Sequence, residues 1–278
     1  MKVLITGGQG YIGQNLQRHL RTQGWDFTVL DTTEGSGTVH GSVTDALTVF
    51  ELIHTMEPDV VVHLAALKSA PESVKQPDRY YHVNVGGTVN LMRAGVRRIV
   101  FASSAAVYGD GIGGFSEDDE LEPVTPYGMT KAVCERVLSD CGCAGLSLRL
   151  FNVAGGVCRD EGPNLFAKIA ASIRNDESMT LFPGVRDYVH VDDVCEAIIQ
   201  GCLCEEPIQS LNICTGQETD THDLPAMFSD LKYTPENRKR EGDPDCVVGL
   251  NDLAMNVMGW HPQRTIDDIV EDTKQWCR

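Results

Sequence analysis

Lys2-Val3-Leu4-Ile5-Thr6-Gly7-Gly8-Gln9-Gly10-Tyr11-Ile12-Gly13 opens the chain, and its reading decides the fold. An unbroken apolar run, Val3-Leu4-Ile5, ends in glycines, and Ile12, Leu16 and Leu20 then recur four residues apart. The pattern is a buried strand, a tight turn and a helix over residues 11–23. Glycines at 7, 10 and 13 let the backbone turn sharply and approach a pyrophosphate. The helix start adds N–H donors and a positive dipole end. Asp31 follows Gly13 by 18 residues, at the end of a second strand, Phe27-Thr28-Val29-Leu30-Asp31. An acid there accepts hydrogen bonds from adenosine ribose hydroxyls and repels a 2′-phosphate, which favours NAD over NADP. The plain alternative, a structural turn with a solvated aspartate, is disfavoured by the strand–turn–helix context.

The same alternation continues outward. A helix at 45–56 stops before Pro58, and Val60-Val61-Val62-His63-Leu64 is a strand with no polar alternation. Helices at 78–94 and 124–141 bracket the strand Arg98-Ile99-Val100-Phe101-Ala102, and another strand covers 146–150. Repeated units of this kind predict an α/β fold, a Rossmann-type doubly wound parallel sheet with right-handed crossovers. After Phe151 the rhythm loosens. Residues 1–151 are predicted to form the NAD-binding domain, with 188–215 returning to it through Val189, the helix after Asp192 and residues 210–214. Residues 152–187 and 216–278 would form a smaller, discontinuous substrate-binding lobe.

Forty acids against 23 bases give a net charge of −17. Phosphate-rich partners, nucleic acid or an anionic membrane, would be repelled. A small anionic ligand then needs local cations, and Lys68, Lys131, Arg186 and Arg240 are the candidates. No apolar run reaches bilayer length, and the opening strand is too short for a signal peptide. Ten cysteines contain no CxxC pair. No metal site is read from them, and they are expected as free thiols in a reducing cytoplasm.

Tyr127-Gly128-Met129-Thr130-Lys131 places a phenol and an ammonium on one helical face. A nearby cation favours a phenolate, so Lys131 is expected to lower the Tyr127 pKa. Tyr127 would then take a proton from a substrate hydroxyl held by Ser104 while hydride leaves the same carbon. A YxxxK pair alone is often a surface pair. Ser103-Ser104-Ala105-Ala106-Val107-Tyr108-Gly109, just after a buried strand, argues for the catalytic reading.

Taken together, these stretches resemble the nucleotide-sugar 4-epimerases of the extended short-chain dehydrogenase/reductase family. The resemblance also rests on His63-Leu64-Ala65-Ala66-Leu67-Lys68, Glu72-Ser73-Val74, Asn84-Val85-Gly86-Gly87-Thr88 and Arg149-Leu150-Phe151-Asn152. Gly184-Val185-Arg186-Asp187-Tyr188-Val189-His190 and Arg240-Glu241-Gly242-Asp243 complete it. It implies NAD-dependent epimerisation at C4 of a UDP-hexose through a 4-keto intermediate. It assigns catalysis to Tyr127, Lys131 and Ser104. It places Gly7, Gly10, Tyr11, Ile12, Gly13, Asp31, Ser42, Val43, Leu64, Ala65, Ala66, Lys68, Asn84, Ser103 and Phe151 at the cofactor. Arg186 and Arg240 would grip the UDP diphosphate, Asp243 its ribose, and Asn152, Asn164, Leu165, Phe182 and Lys68 would line the substrate. It also implies a homodimer paired through the 78–94 and 124–141 helices.

Two departures from the family's pattern matter, and one feature sets the chain apart from rival families. Ser42 stands where the family usually has an aspartate facing adenine. Val247 occupies the position of a residue that gates the space beside the sugar, and its small size implies that N-acetylated UDP-hexoses are accepted too. Dehydratases, and generally decarboxylases, carry acid next to the Val-Tyr-Gly stretch, where this chain has Ala105-Ala106. Epimerisation of UDP-glucuronate or a UDP-pentose remains the alternative.

Overall fold

The computed structural model describes residues 1–111, 113–157, 164–206, 209–239 and 243–277. Val3, Leu4, Ile5, Val60, Val61 and Val62 are each at most 1% exposed, because both faces of their strands are covered. Side-chain alternation divides them between two layers. Val3, Ile5, Val60 and Val62 pack with Leu16 and Leu20 of helix α1 (Tyr11–Thr22) and with the Val191–Leu203 helix. Leu4, Val61, Ile99 and Phe101 pack on the other side against Val49 and Ile53 of α2 (Ala46–Met56), Leu91, Cys134 and Leu138.

The main sheet has seven strands, all parallel. Its spatial order is Ser210–Ile213, Ala144–Leu150, β5 (Arg98–Ser104), β4 (Val60–His63), β1 (Lys2–Thr6), β2 (Asp26–Asp31) and β3 (Thr38–His40). From β1 the chain builds to one side as far as β3, then crosses back to build the other side from β4. The crevice at the C-terminal ends of β1 and β4 is therefore the switch point, where such sheets bind ligands.

Three details differ from the sequence reading. The third strand, Thr38–His40, pairs Val39 with Leu30 and has little apolar surface to announce it. The segment read as a helix at 78–94 is Pro77–Tyr80 and Gly86–Arg93 joined by a π-helical turn, Tyr81–Val85, with a separate helix, Ala70–Lys75, before it. Ser210–Ile213 joins the main sheet, but Val189 does not: Tyr188–His190 pairs with Asn152–Ala154 in a small parallel sheet.

Strands Val185–Arg186 and Cys246–Gly249 meet in a second sheet over the crevice. Beside it, Phe166, Ile169, Leu181, Tyr188, Phe228 and Ile269 form a separate core. Among the described residues all nine cysteines are free, no cluster of metal ligands occurs, and no helix is long and apolar enough to cross a membrane.

Candidate active site

An 890 Å³ cavity runs from the switch point to the second sheet. Its size suits a buried small-molecule site. At one end lies the glycine turn. Gly7 has φ +74°, and a Cβ there would sit 2.6 Å from the Ala65 nitrogen. Only glycine permits both. Asp45, Thr125 and Asn164 each accept a first-turn N–H of the helix they precede, but α1 starts at Gly10 with no side-chain cap. Its first turn faces the cavity at Tyr11, Ile12 and Gly13. An uncapped helix start in a cavity wall is a phosphate site by construction.

Asp31 lies on the same wall and accepts the Gln9 and Thr33 N–H groups, each at 2.8 Å. Ser42 and Val43 line it too. The Ser42 hydroxyl is bonded to Thr44 Oγ1 at 2.8 Å. Leu64, Ala65, Ala66 and Lys68 face the glycine turn from the loop after β4. The uncapped helix, the Cβ-excluding cradle and the carboxylate at the end of β2 together fit NAD.

Asn84 is a correction. It is 2% exposed and lies behind this wall, not on it. Its Oδ1 accepts the Leu67 N–H at 2.8 Å, and its Nδ2 donates to the Leu67 carbonyl at 3.0 Å. It clasps the loop that carries Lys68. Behind it, Thr88 donates to the Asn84 carbonyl, so His63 Nε2 donates to Thr88 and Nδ1 accepts from Thr6.

The middle of the cavity holds Ser103, Ser104, Tyr127 and Lys131. Thr125 caps the Pro126–Asp140 helix by accepting the Gly128 N–H at 3.2 Å, which fixes the turn bearing Tyr127. The electrostatics correct the sequence reading. Lys131 does not depress the Tyr127 pKa. Burial raises it, and a hydrogen bond to Ser104 offsets part of the rise. Lys131 Nζ donates to the Ala102 carbonyl at 2.6 Å and stands 6.0 Å from the centre of the Tyr127 ring. Burial pushes the Lys131 ammonium down to about 8. Desolvation outweighs the mutual attraction the spacing suggested.

Phe151, Asn152, Asn164, Leu165, Phe182, Arg186 and Asp243 line the far end. Asn164 Oδ1 accepts the Ala167 N–H at 2.9 Å, while its Nδ2 is buried without a partner among the described residues. An orphaned donor in a cavity wall marks where an acceptor belongs. Arg186 donates to the carbonyls of Val185, Pro244 and Asp245, which ties down the segment beside Asp243. No carboxylate forms an ion pair with it among the described residues.

Arg240 lies outside the described residues. Val247 is a second correction: it pairs in register with Arg186 but is 6% exposed, packed with Tyr108, Phe151 and Cys214 behind the wall. Lys168, Thr180, Tyr188 and Thr221 line the cavity unforeseen. Lys168 was within reach of a sequence argument, since it lies four residues after Asn164 on the helix that Asn164 caps. The only carboxylates among the described lining residues are Asp31 and Asp243. Ala105 is buried in a 3₁₀ turn, Ala105–Val107, which carries no acid.

Comparison with known proteins agrees with this geometry. The model of the NAD dependent epimerase/dehydratase family matches residues 3–213. A UDP-glucose 4-epimerase of Lactobacillus helveticus is 32% identical over 99% of this chain and 97% of its own length. The structure of a UDP-glucose-4-epimerase from Stenotrophomonas maltophila, with bound NAD and formylated UDP-arabinopyranose, superposes with a TM-score of 0.91 at 29% identity, covering 100% of this chain and 98% of that one. MoeE5 in complex with UDP-glucuronic acid and NAD gives a TM-score of 0.90 at 27% identity, with 99% and 98% covered. The uncapped glycine turn, the tyrosine and lysine on the cavity wall and the matched sequence have one common explanation: the chain belongs to the NAD dependent epimerase/dehydratase family.

Proposed function

We propose that the protein inverts C4 of a UDP-hexose, interconverting UDP-glucose and UDP-galactose with NAD as cofactor. The observation that carries this reading is one continuous cavity. Tyr127 lies between the glycine turn at one end and Asn164 and Arg186 at the other.

Bound NAD would accept the C4 hydride, return it, and bring a positive charge when oxidised. The remaining work falls to the chain. Asp31 and the first turn of α1 hold the dinucleotide, and Lys131 its ribose. Ser104 holds the C4 hydroxyl. Tyr127 takes its proton and gives one back. Asn164 Nδ2 and the Arg186 charge grip the diphosphate, while the sugar is held loosely enough for the 4-keto form to turn over. Binding energy thus goes to the part that stays still. An idle nucleotide-binding protein would have no use for a Ser104/Tyr127/Lys131 set on the cavity wall.

Mixing the protein with UDP-galactose and following UDP-glucose by NMR tests this reading. Interconversion toward a fixed ratio is expected, and no turnover by NAD-loaded protein overturns it.

A second reading, epimerisation of UDP-glucuronate, is favoured by Lys168. It lines the cavity and forms no ion pair among the described residues. A panel of UDP-sugars, with N-acetylated hexoses and pentoses, separates these substrates. We also propose a cytoplasmic homodimer. The free thiols support the compartment. Exposed Tyr81 and Met129 support pairing through the Pro77–Arg93 segment and the Pro126–Asp140 helix.

A further inference from the structure

Behind the catalytic wall lies a buried ion pair that the reaction as described does not use. Glu135 is one turn beyond Lys131 on the same helix. Arg149, from the Ala144–Leu150 strand, grips its carboxylate from one side: Nη2 donates to Oε2 at 2.8 Å, and Nε stands 3.2 and 3.3 Å from the two oxygens. The side chains of Arg149 and Glu135 are 6% and 11% exposed. Glu135 also accepts the hydroxyl hydrogen of Ser103, the neighbour of Ser104 on β5. The guanidinium continues to Tyr108, and the Tyr108 hydroxyl donates to Asn212. Every charge in this chain of contacts is paired, which such burial requires.

We propose that Glu135, clamped by Arg149, is a positioning residue for catalysis. It ties the helix bearing Tyr127 and Lys131 to the end of β5 that carries Ser104, and sets a carboxylate one helical turn from Lys131. Lys131 reaches the same strand end through the Ala102 carbonyl, so helix and strand are pinned at two successive turns. Burial lowers the Lys131 pKa, and Cys134 and then the Glu135 carboxylate raise it against that burial. Lys131, Cys134, Arg149, Tyr108, Tyr127, His63 and, more remotely, Glu117 are other titratable groups around this chain of contacts. The proposal rests on the catalytic reading above.

The test uses the NAD-loaded protein and the variants Glu135→Gln, Glu135→Asp and Ser103→Ala. Glu135→Gln should lower kcat about tenfold or more with KM within about threefold. It should move the alkaline limb of the kcat profile to lower pH, because Lys131 loses its counter-charge. Glu135→Asp should restore the limb and part of kcat. Folded, NAD-loaded Glu135→Gln protein with parental kcat and limb overturns the proposal. Removing one member of a buried pair strands the other. If Glu135→Gln does not fold, Ser103→Ala decides: a severalfold loss of kcat with an unmoved limb supports the proposal, and full kcat overturns it. NMR titration of Lys131 in ¹⁵N-lysine-labelled protein keeps the two ideas apart. A lower Lys131 pKa in Glu135→Gln supports the counter-charge role even where no UDP-sugar turns over, and an unchanged pKa overturns it.

Discussion

In the proposed reaction the chemistry falls to Tyr127 and Lys131, and their environments set the conditions for it. Tyr127→Phe removes the hydroxyl assigned to exchange the C4 proton, so kcat should fall about 10²–10⁴-fold. Unchanged circular dichroism and NAD content would show the fold intact, and a near-parental rate would remove Tyr127 from its role. The proposed role of Lys131 calls for an ammonium, and burial brings its pKa down to about 8. Activity should therefore be present below that value and fall as pH rises through it. A kcat profile still flat well above pH 8 would contradict this. The pairing of these side chains is legible in the sequence, because four residues make one helical turn. Their pKa shifts are not, because desolvation depends on what the rest of the chain packs around them.

At the scale of elements, caps do the positioning. Thr125 is 6% exposed and satisfies the Gly128 N–H in the turn that bears Tyr127. Thr125→Ala should cost about 1 kcal/mol of stability. Because the frayed turn is the catalytic one, kcat should drop as well. Thermal melts and turnover measured together check both, and a lower Tm with unchanged kcat would separate the cap from the chemistry. Val247 tests packing instead. It fills a closed cluster with Phe151 and Tyr108, so Val247→Tyr should destabilise by about 1–3 kcal/mol through overpacking. Denaturant melts measure this. A fully stable variant with altered sugar preference would return Val247 to the pocket.

For the whole molecule, His63 makes stability depend on acid. It is buried between Thr6 and Thr88, and burial, with help from Lys131, holds its pKa down to about 3 against an ordinary 6.5. Between those values the unfolded chain binds a proton that the folded chain refuses. Stability should therefore fall as pH drops from about 6.5 toward 3, by up to about 1.4 kcal/mol per pH unit. Urea melts at several pH values measure the slope. His63→Leu should be less stable at neutral pH but show a shallower acid slope, and an equally steep slope would assign the acid sensitivity elsewhere. The sequence by itself determined the doubly wound sheet, the glycine turn with Asp31, and the Tyr127/Lys131 face. Each of these follows from periodicity or spacing within one or two neighbouring elements. Only the tertiary structure decided that Asn84 and Val247 stand behind the wall, that Lys168 stands on it, and that Glu135 and Arg149 are locked together. Those outcomes depend on packing between segments far apart in the chain, which local patterns do not encode.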